Sequence, residues 1–247
     1  TGCVILSVWI ALTDTPLVWT SAGWYLIAIT GVATTVMTLL LYKGLARGPI
    51  SVVAPIVASH PVLVVALAFL FGARPTLLQW IAMALTIFGV VVVARSASDD
   101  NPNEPRTDHA ELRTTVWIAI GSMVAYAVLV FAGQRAVPVY GELQTLWMSR
   151  VTSLAVLIFF MAAAKQKPCL PVRIWPFLVV QGTLDAGGYL ALFAGSAGEG
   201  AEIAAVVAST FGVVTVLLAR AILKEKVNTA QWAGIALIFT CVAVLSY

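Results

Sequence analysis

Apolar runs of about twenty residues follow one another along this chain with almost no polar interruption, and that spacing leaves few folds open to it. A helix rising 1.5 Å per residue needs about 20 mainly apolar residues to cross the hydrocarbon core of a bilayer. Eight stretches have that character, near residues 20–42, 50–71, 76–94, 115–133, 143–163, 174–196, 201–223 and 229–247. Residues 1–12 read as a ninth, shortened stretch, as though the sequence begins inside an apolar segment. Lipid offers no partner to backbone N–H and C=O groups, so each run is expected to satisfy them internally as an α-helix. The charge content agrees. Only 10% of residues are charged and 61% are apolar, against about 25% charged in an ordinary soluble domain. So few charges cannot cover a water-facing surface. The expected fold class is all-α, a polytopic transmembrane helical bundle.

Several function classes drop out at this point. A net charge of +3 with no basic run does not suit nucleic acid. Cys3, Cys169 and Cys241 are odd in number and far apart, which suggests neither a disulfide framework nor a metal site. No HExxH, Walker loop or GxGxxG is present. The sequence AGSAG at 194–198 lacks the leading glycine and the preceding strand of a nucleophile elbow, so a turn between spans explains it better. No enzyme activity and no cofactor are expected.

The chain also repeats itself at an offset of 151 to 152 residues. Trp24 falls on Trp175, Gly31 on Gly182 and Gly44 on Gly195; after a one-residue slip Gln79-Trp80 falls on Gln231-Trp232 and Ala84-Leu85 on Ala236-Leu237. Apolar coincidences are common in membrane sequences, but a Gln-Trp pair at the start of equivalent spans is not. The second half holds five spans and the first half three plus the shortened one. The expectation is two five-helix repeats, the first incomplete at its N-terminal end: residues 1–94 and 115–247, joined by a polar linker at 95–114 rich in Asp, Asn, Pro and Glu. An odd number of spans per repeat inverts the second half relative to the first, an arrangement found in many secondary transporters.

Polar residues within the spans mark candidate sites, since an ionisable group at mid-bilayer costs about 2.5–3.5 kcal/mol on insertion scales. Asp185 lies near the middle of its span, with Gln181 and Tyr189 one turn to either side on the same helix face. The repeat carries these three positions back onto Thr30, Thr34 and Thr38, again polar and again one turn apart. Two such stripes, facing each other, would line a substrate-binding cavity; alternatively the hydroxyls bond their own helix and the stripes hold helices together. Arg150 sits in the span before that of Asp185, close enough in sequence for a buried ion pair. His60 precedes Pro61, with Pro55 one turn earlier, and either caps carbonyls freed by the prolines or relays a proton. Asp185 is the better candidate for proton coupling. Gly187, Ala191 and Gly195 form a small-xxx-small pattern suited to close helix contact. Seven tryptophans, among them Trp24, Trp117 and Trp175, fall at span ends as interfacial anchors should.

The segment YKGLARGPISVVAPIVASHPVLVVALAFLFGARPTLLQWIAMALTIFGVVVVA resembles an EamA repeat of the drug/metabolite transporter superfamily, as does YLALFAGSAGEGAEIAAVVASTFGVVTVLLARAILKEKVNTAQWAGIALIFTCVAVLSY. The family's proline in the fourth helix of a repeat corresponds to Pro61, where the second repeat has Gly212. Its Gly-Glu before the last helix corresponds to Lys224-Glu225, and to Gly72-Ala73 in the first repeat. The arginine early in the second helix corresponds to Arg150. The resemblance implies ten helices in inverted repeats, and export or exchange of small metabolites. The expectation is therefore an alternating-access transporter of an amino-acid-like, neutral or zwitterionic solute, a multi-pass protein of the bacterial inner (plasma) membrane. Its partners would be that solute and the lipid bilayer. Substrate binding falls to Thr30, Thr34, Thr38, Gln181, Asp185 and Tyr189, and gating or coupling to Arg150, His60, Pro61 and Glu225. The alternative is a membrane protein without transport activity, a scaffold or a membrane enzyme.

Overall fold

The computed structural model of the chain describes residues 2–13, 16–96, 109–165, 174–196, 201–225 and 227–245. They form eleven helices: α1 Gly2–Thr13, α2 Trp24–Arg47, α3 Ile50–Ala58, α4 His60–Leu70, α5 Leu77–Ser96, α6 His109–Tyr140, α7 Glu142–Ala163, α8 Trp175–Gly195, α9 Ala201–Ser209, α10 Phe211–Ile222 and α11 Thr229–Val244. No strand occurs among the described residues. With α3–α4 and α9–α10 each taken as one span, seven segments are long and apolar enough to cross a membrane, and α1 and α11 are apolar but shorter. The polytopic helical bundle expected from the sequence is the fold.

Helix ends differ from the apolar windows. The window at 115–133 marks less than two-thirds of α6, which continues for several residues at both ends. Hydropathy records where lipid begins, whereas Ala, Glu, Leu and Gln sustain a helix beyond it. Both ends of the expected linker are likewise helical, since α5 runs through Ser96 and α6 starts at His109. Residues 97–108, the middle of that linker, and Cys169 lie outside the described residues.

Two single windows are in fact broken helices, and the breaks fall at equivalent points of the repeat. Ser59 separates α3 from α4 and Thr210 separates α9 from α10, an offset of 151. At each break a hydroxyl takes the carbonyl three residues back: Ser59 Oγ donates to Ile56 O at 2.6 Å and Thr210 Oγ1 to Val207 O at 2.7 Å. Such bonds compete with the helical ladder. In the first break Pro61 also withholds the N–H that Val57 O would receive, and His60 Nδ1 lies 3.3 Å from that carbonyl.

The chain forms two compact units, each built from both sequence halves. One comprises residues 1–35 and 128–204, the other 36–127 and 205–247. In the first, α1, α7 and α8 pack together. The N-terminal part of α2 meets α7 where Gly31 has no Cβ: one built there would lie 2.9 Å from Ser149 O. Thr35 Oγ1 and Ser153 Oγ bond at 2.8 Å along the same seam. The preceding segment is tied down by Gln144, which accepts from Val18 N and donates to Val18 O, both at 2.8 Å.

The second unit is organised by two helix pairs, α3 with α10 and α5 with α11. The recurring Gln-Trp motif explains the second pair. Thr76 and Gln79 form a reciprocal cap at the start of α5, with Thr76 N to Gln79 Oε1 at 2.9 Å and Gln79 N to Thr76 Oγ1 at 3.2 Å. Asn228 and Gln231 do the same for α11, at 2.9 and 2.7 Å. Each capping group also reaches the far end of the partner helix. Gln79 Nε2 donates to Leu245 O at 3.2 Å and Asn228 Nδ2 to Ser96 O at 2.9 Å. The helices are therefore antiparallel, and they approach closely where Gly89 meets Gly234.

The surface suits lipid. Trp9, Trp24, Trp117 and Trp175 are exposed, as are Phe159, Phe177 and Leu184. Contact through the small residues of α8 is confined to one end. A Cβ on Gly195 would touch Ala204 at 3.3 Å, while among the described residues nothing lies within 4 Å of one on Gly187.

Candidate functional site

The first unit brings together the most polar part of the spans. Arg150, on the third turn of α7, reaches across to α8, where its Nη2 lies 2.5 Å from Asp185 Oδ2. The guanidinium also covers the ring of Tyr189, at 4.8 Å from the centroid. Tyr189 is one turn beyond Asp185, so the α8 stripe presents a carboxylate and an aromatic face to one cation. The Arg150 side chain is 19% exposed and that of Asp185 42%, which puts the pair at an edge of the unit with the cation inward.

Behind Arg150 is a small cavity of about 10 Å³, room for about one water, lined by Thr30, Thr34, Leu129, Leu146, Ser149, Arg150, Tyr189 and Phe193. Its floor depends on Gly133, since a Cβ there would lie 2.5 Å from the Phe193 ring. The threonine and serine hydroxyls share one hydrogen-bonding state. Thr30 Oγ1 donates to Leu26 O and Thr34 Oγ1 to Thr30 O, each at 2.7 Å, and Ser149 Oγ donates to Thr145 O. Having used their single proton, these oxygens are left as acceptors. Arg150 is donor only.

Of the residues singled out from the sequence, the structure gathers Thr30, Thr34, Arg150, Asp185 and Tyr189. It leaves Thr38 and Gln181 outside the cavity lining; Thr38 is half-buried on the next turn of α2 and Gln181 is exposed at the start of the α8 stripe. His60, Pro61 and Glu225 belong to the second unit. His60 is fully buried and stacks on Tyr126, with centroids 4.0 Å apart and planes 12° from parallel. Its Nε2 meets no hydrogen-bond partner among the described residues. Pro61 opens α4. Glu225 follows α10 and accepts from Ser51 N at 3.3 Å and from Ser51 Oγ at 3.1 Å.

Ser149, Leu129, Leu146 and Phe193 are cavity residues that the sequence does not single out. Ser149 had a signal, because Thr145 and Ser149 are polar, one turn apart and next to Arg150 in the span; the three apolar residues had none.

A multi-pass helical bundle with an ion pair inside its spans is compatible with a transport protein, and the comparisons point to that class. The EamA-like transporter family matches residues 1–95 and 113–247, so the chain belongs to that family and is an integral membrane protein. It is also similar to an uncharacterized transporter of Synechocystis sp., with 25% identity over 237 residues, covering 94% of this chain and 68% of the relative.

Proposed function

We infer that this protein is a secondary transporter that exports or exchanges a small neutral or zwitterionic metabolite, amino-acid-like in character, by alternating access. The observation that carries the reading is the Arg150–Asp185 pair beside a cavity lined by Thr30, Thr34 and Tyr189. Charges within membrane spans are costly, and those that occur usually line a solute pathway. Thr30, Thr34, Asp185 and Tyr189 form the core of the substrate site, and Thr38 and Gln181 extend the two polar stripes beyond it. Arg150 gates that site. His60 and Pro61 at the α3–α4 break, and Glu225 beside α3, serve gating or coupling, with a proton as the coupled ion. The sequence repeats, 1–94 and 115–247 about a linker at 95–114, are two inverted five-helix repeats, the first incomplete at its N-terminal end, in a bacterial plasma membrane. The antiparallel pairing of α5 with α11, the last helices of the two repeats, supports that inversion.

One observation favours a second reading, a protein without transport activity. The threonine hydroxyls bond within α2, and Thr35 joins α2 to α7, as helix-fastening stripes would. Solute flux in proteoliposomes separates the two. Asp185→Asn is expected to lower flux at least tenfold with the protein still folded, and unchanged flux removes Asp185 from the mechanism.

A further inference from the structure

The polarity of the cavity narrows the solute further, on the basis of the transport reading above. Every cavity hydroxyl whose bond is described has spent its proton on its own helix, so Thr30, Thr34 and Ser149 can accept a hydrogen bond but cannot readily donate one. A solute carboxylate has one strong donor to turn to, the guanidinium of Arg150. A solute N–H group has several acceptors, with Asp185 at the rim as the charged one. The guanidinium is only partly used, with a single Nη2–Oδ2 contact to Asp185. A guanidinium can bind a carboxylate through two parallel N–H bonds, so a second carboxylate can compete for it.

Charge balance then decides which solutes can enter. A solute that separates Arg150 from Asp185 must replace what each loses, because an unpaired charge within a membrane span is costly. A simple anion would satisfy Arg150 and strand Asp185. A simple amine would do the reverse. A zwitterion replaces both partners and adds no net charge.

We propose that the Arg150–Asp185 pair is opened by the solute itself: the carboxylate of a small zwitterion takes the place of Asp185 on Arg150, its ammonium takes the place of Arg150 on Asp185, and the Thr30 and Thr34 oxygens accept the remaining N–H bonds. No covalent bond changes and no net charge moves into the site. The pair thus acts as a specificity filter that requires both charges on one short molecule.

The test uses the purified protein in lipid nanodiscs. A panel of free L-amino acids is screened for thermal stabilisation, and the strongest is compared with its amide, which lacks the carboxylate, and its N-acetyl derivative, which lacks the ammonium. Stabilisation by ligand grows with the ratio of concentration to Kd. The free amino acid is expected to raise Tm, with the other two at least tenfold weaker in apparent affinity. Arg150→Lys should keep a response weakened about tenfold. Because a single variant could misfold around an unpaired charge, the double variant Arg150→Gln with Asp185→Asn removes both charges together. It should elute and melt as a folded protein yet show no amino-acid response. Equal stabilisation by the amide or the N-acetyl form, no response to any amino acid, or a wild-type response from the double variant each overturns the proposal. Undiminished flux of a singly charged solute would do so too while leaving the transport reading intact. Zwitterion-selective stabilisation with no flux of any solute supports the exchange at Arg150 and removes the transport reading instead.

Discussion

A proline just before a helix supplies no side-chain oxygen for the first-turn N–H groups, and Pro49 leaves α3 in this condition. The missing acceptor comes from Glu225, more than 170 residues later, whose carboxylate receives both the N–H and the hydroxyl of Ser51. Its approach depends on a tight turn after α10, in which Lys224 adopts φ 55° and Glu225 N closes on Ala219 O at 3.3 Å. A carboxylate near a helix N-terminus contributes about 0.3–1 kcal/mol when exposed and up to about 2 when partly buried, and Glu225 is half-buried. Glu225→Ala is therefore expected to destabilise by about 1 kcal/mol, with Glu225→Gln, which keeps a neutral acceptor, losing roughly half as much. Thermal denaturation in detergent measures both; a Glu225→Ala protein that melts like wild type would show the contact to be idle. The equivalent position of the first repeat is Ala73, so this fastening exists on one side of the repeat only.

Between elements, contact depends on where side chains are missing. The start of α10 lies on α3 through Gly212, where a Cβ would come within 2.5 Å of Ala58 Cβ and 3.3 Å of Ala54 O. Gly212→Val would have to push the two helix breaks apart, and overpacking of this kind costs about 1–3 kcal/mol. Gly187→Ala on α8 provides the contrast, because nothing lies within 4 Å of its site and alanine favours a helix by about 1 kcal/mol over glycine. Melting temperature is expected to fall for the first and hold or rise for the second; the same response from both would mean that α3 and α10 are not in close contact. The sequence made the spans themselves legible, because length in lipid is a strong constraint. It did not reveal the breaks at Ser59 and Thr210, since a serine or threonine taking its own backbone carbonyl looks like any other hydroxyl in a window average. The ion pair was legible, with Arg150 and Asp185 the two charges of neighbouring spans. Leu129, Leu146 and Phe193 in the cavity were not. In lipid both the buried and the outer faces of a helix are apolar, so the sequence scarcely fixes its rotation about its own axis.

On the scale of the whole molecule, the α5–α11 pair ties the repeat in the sequence to an orientation in the membrane. The two helices start with the same Gln-Trp motif and the same reciprocal cap, and each cap reaches the other helix's C-terminal carbonyls. Two antiparallel helices that both span a bilayer must begin on opposite sides of it. If both do, the segments that lead into them, carrying exposed Arg74 and exposed Lys224, are expected on opposite faces of the membrane. Parallel repeats would put both on one face, so the two arrangements differ in a property that can be measured in intact cells. In a variant lacking Cys3, Cys169 and Cys241, Arg74→Cys and Lys224→Cys are each treated with a membrane-impermeant thiol reagent before and after the cells are opened. One cysteine is expected to react in intact cells and the other only after permeabilisation. If both react in intact cells, or neither does until the membrane is opened, the repeats are not inverted and the antiparallel pair is not a membrane-spanning one.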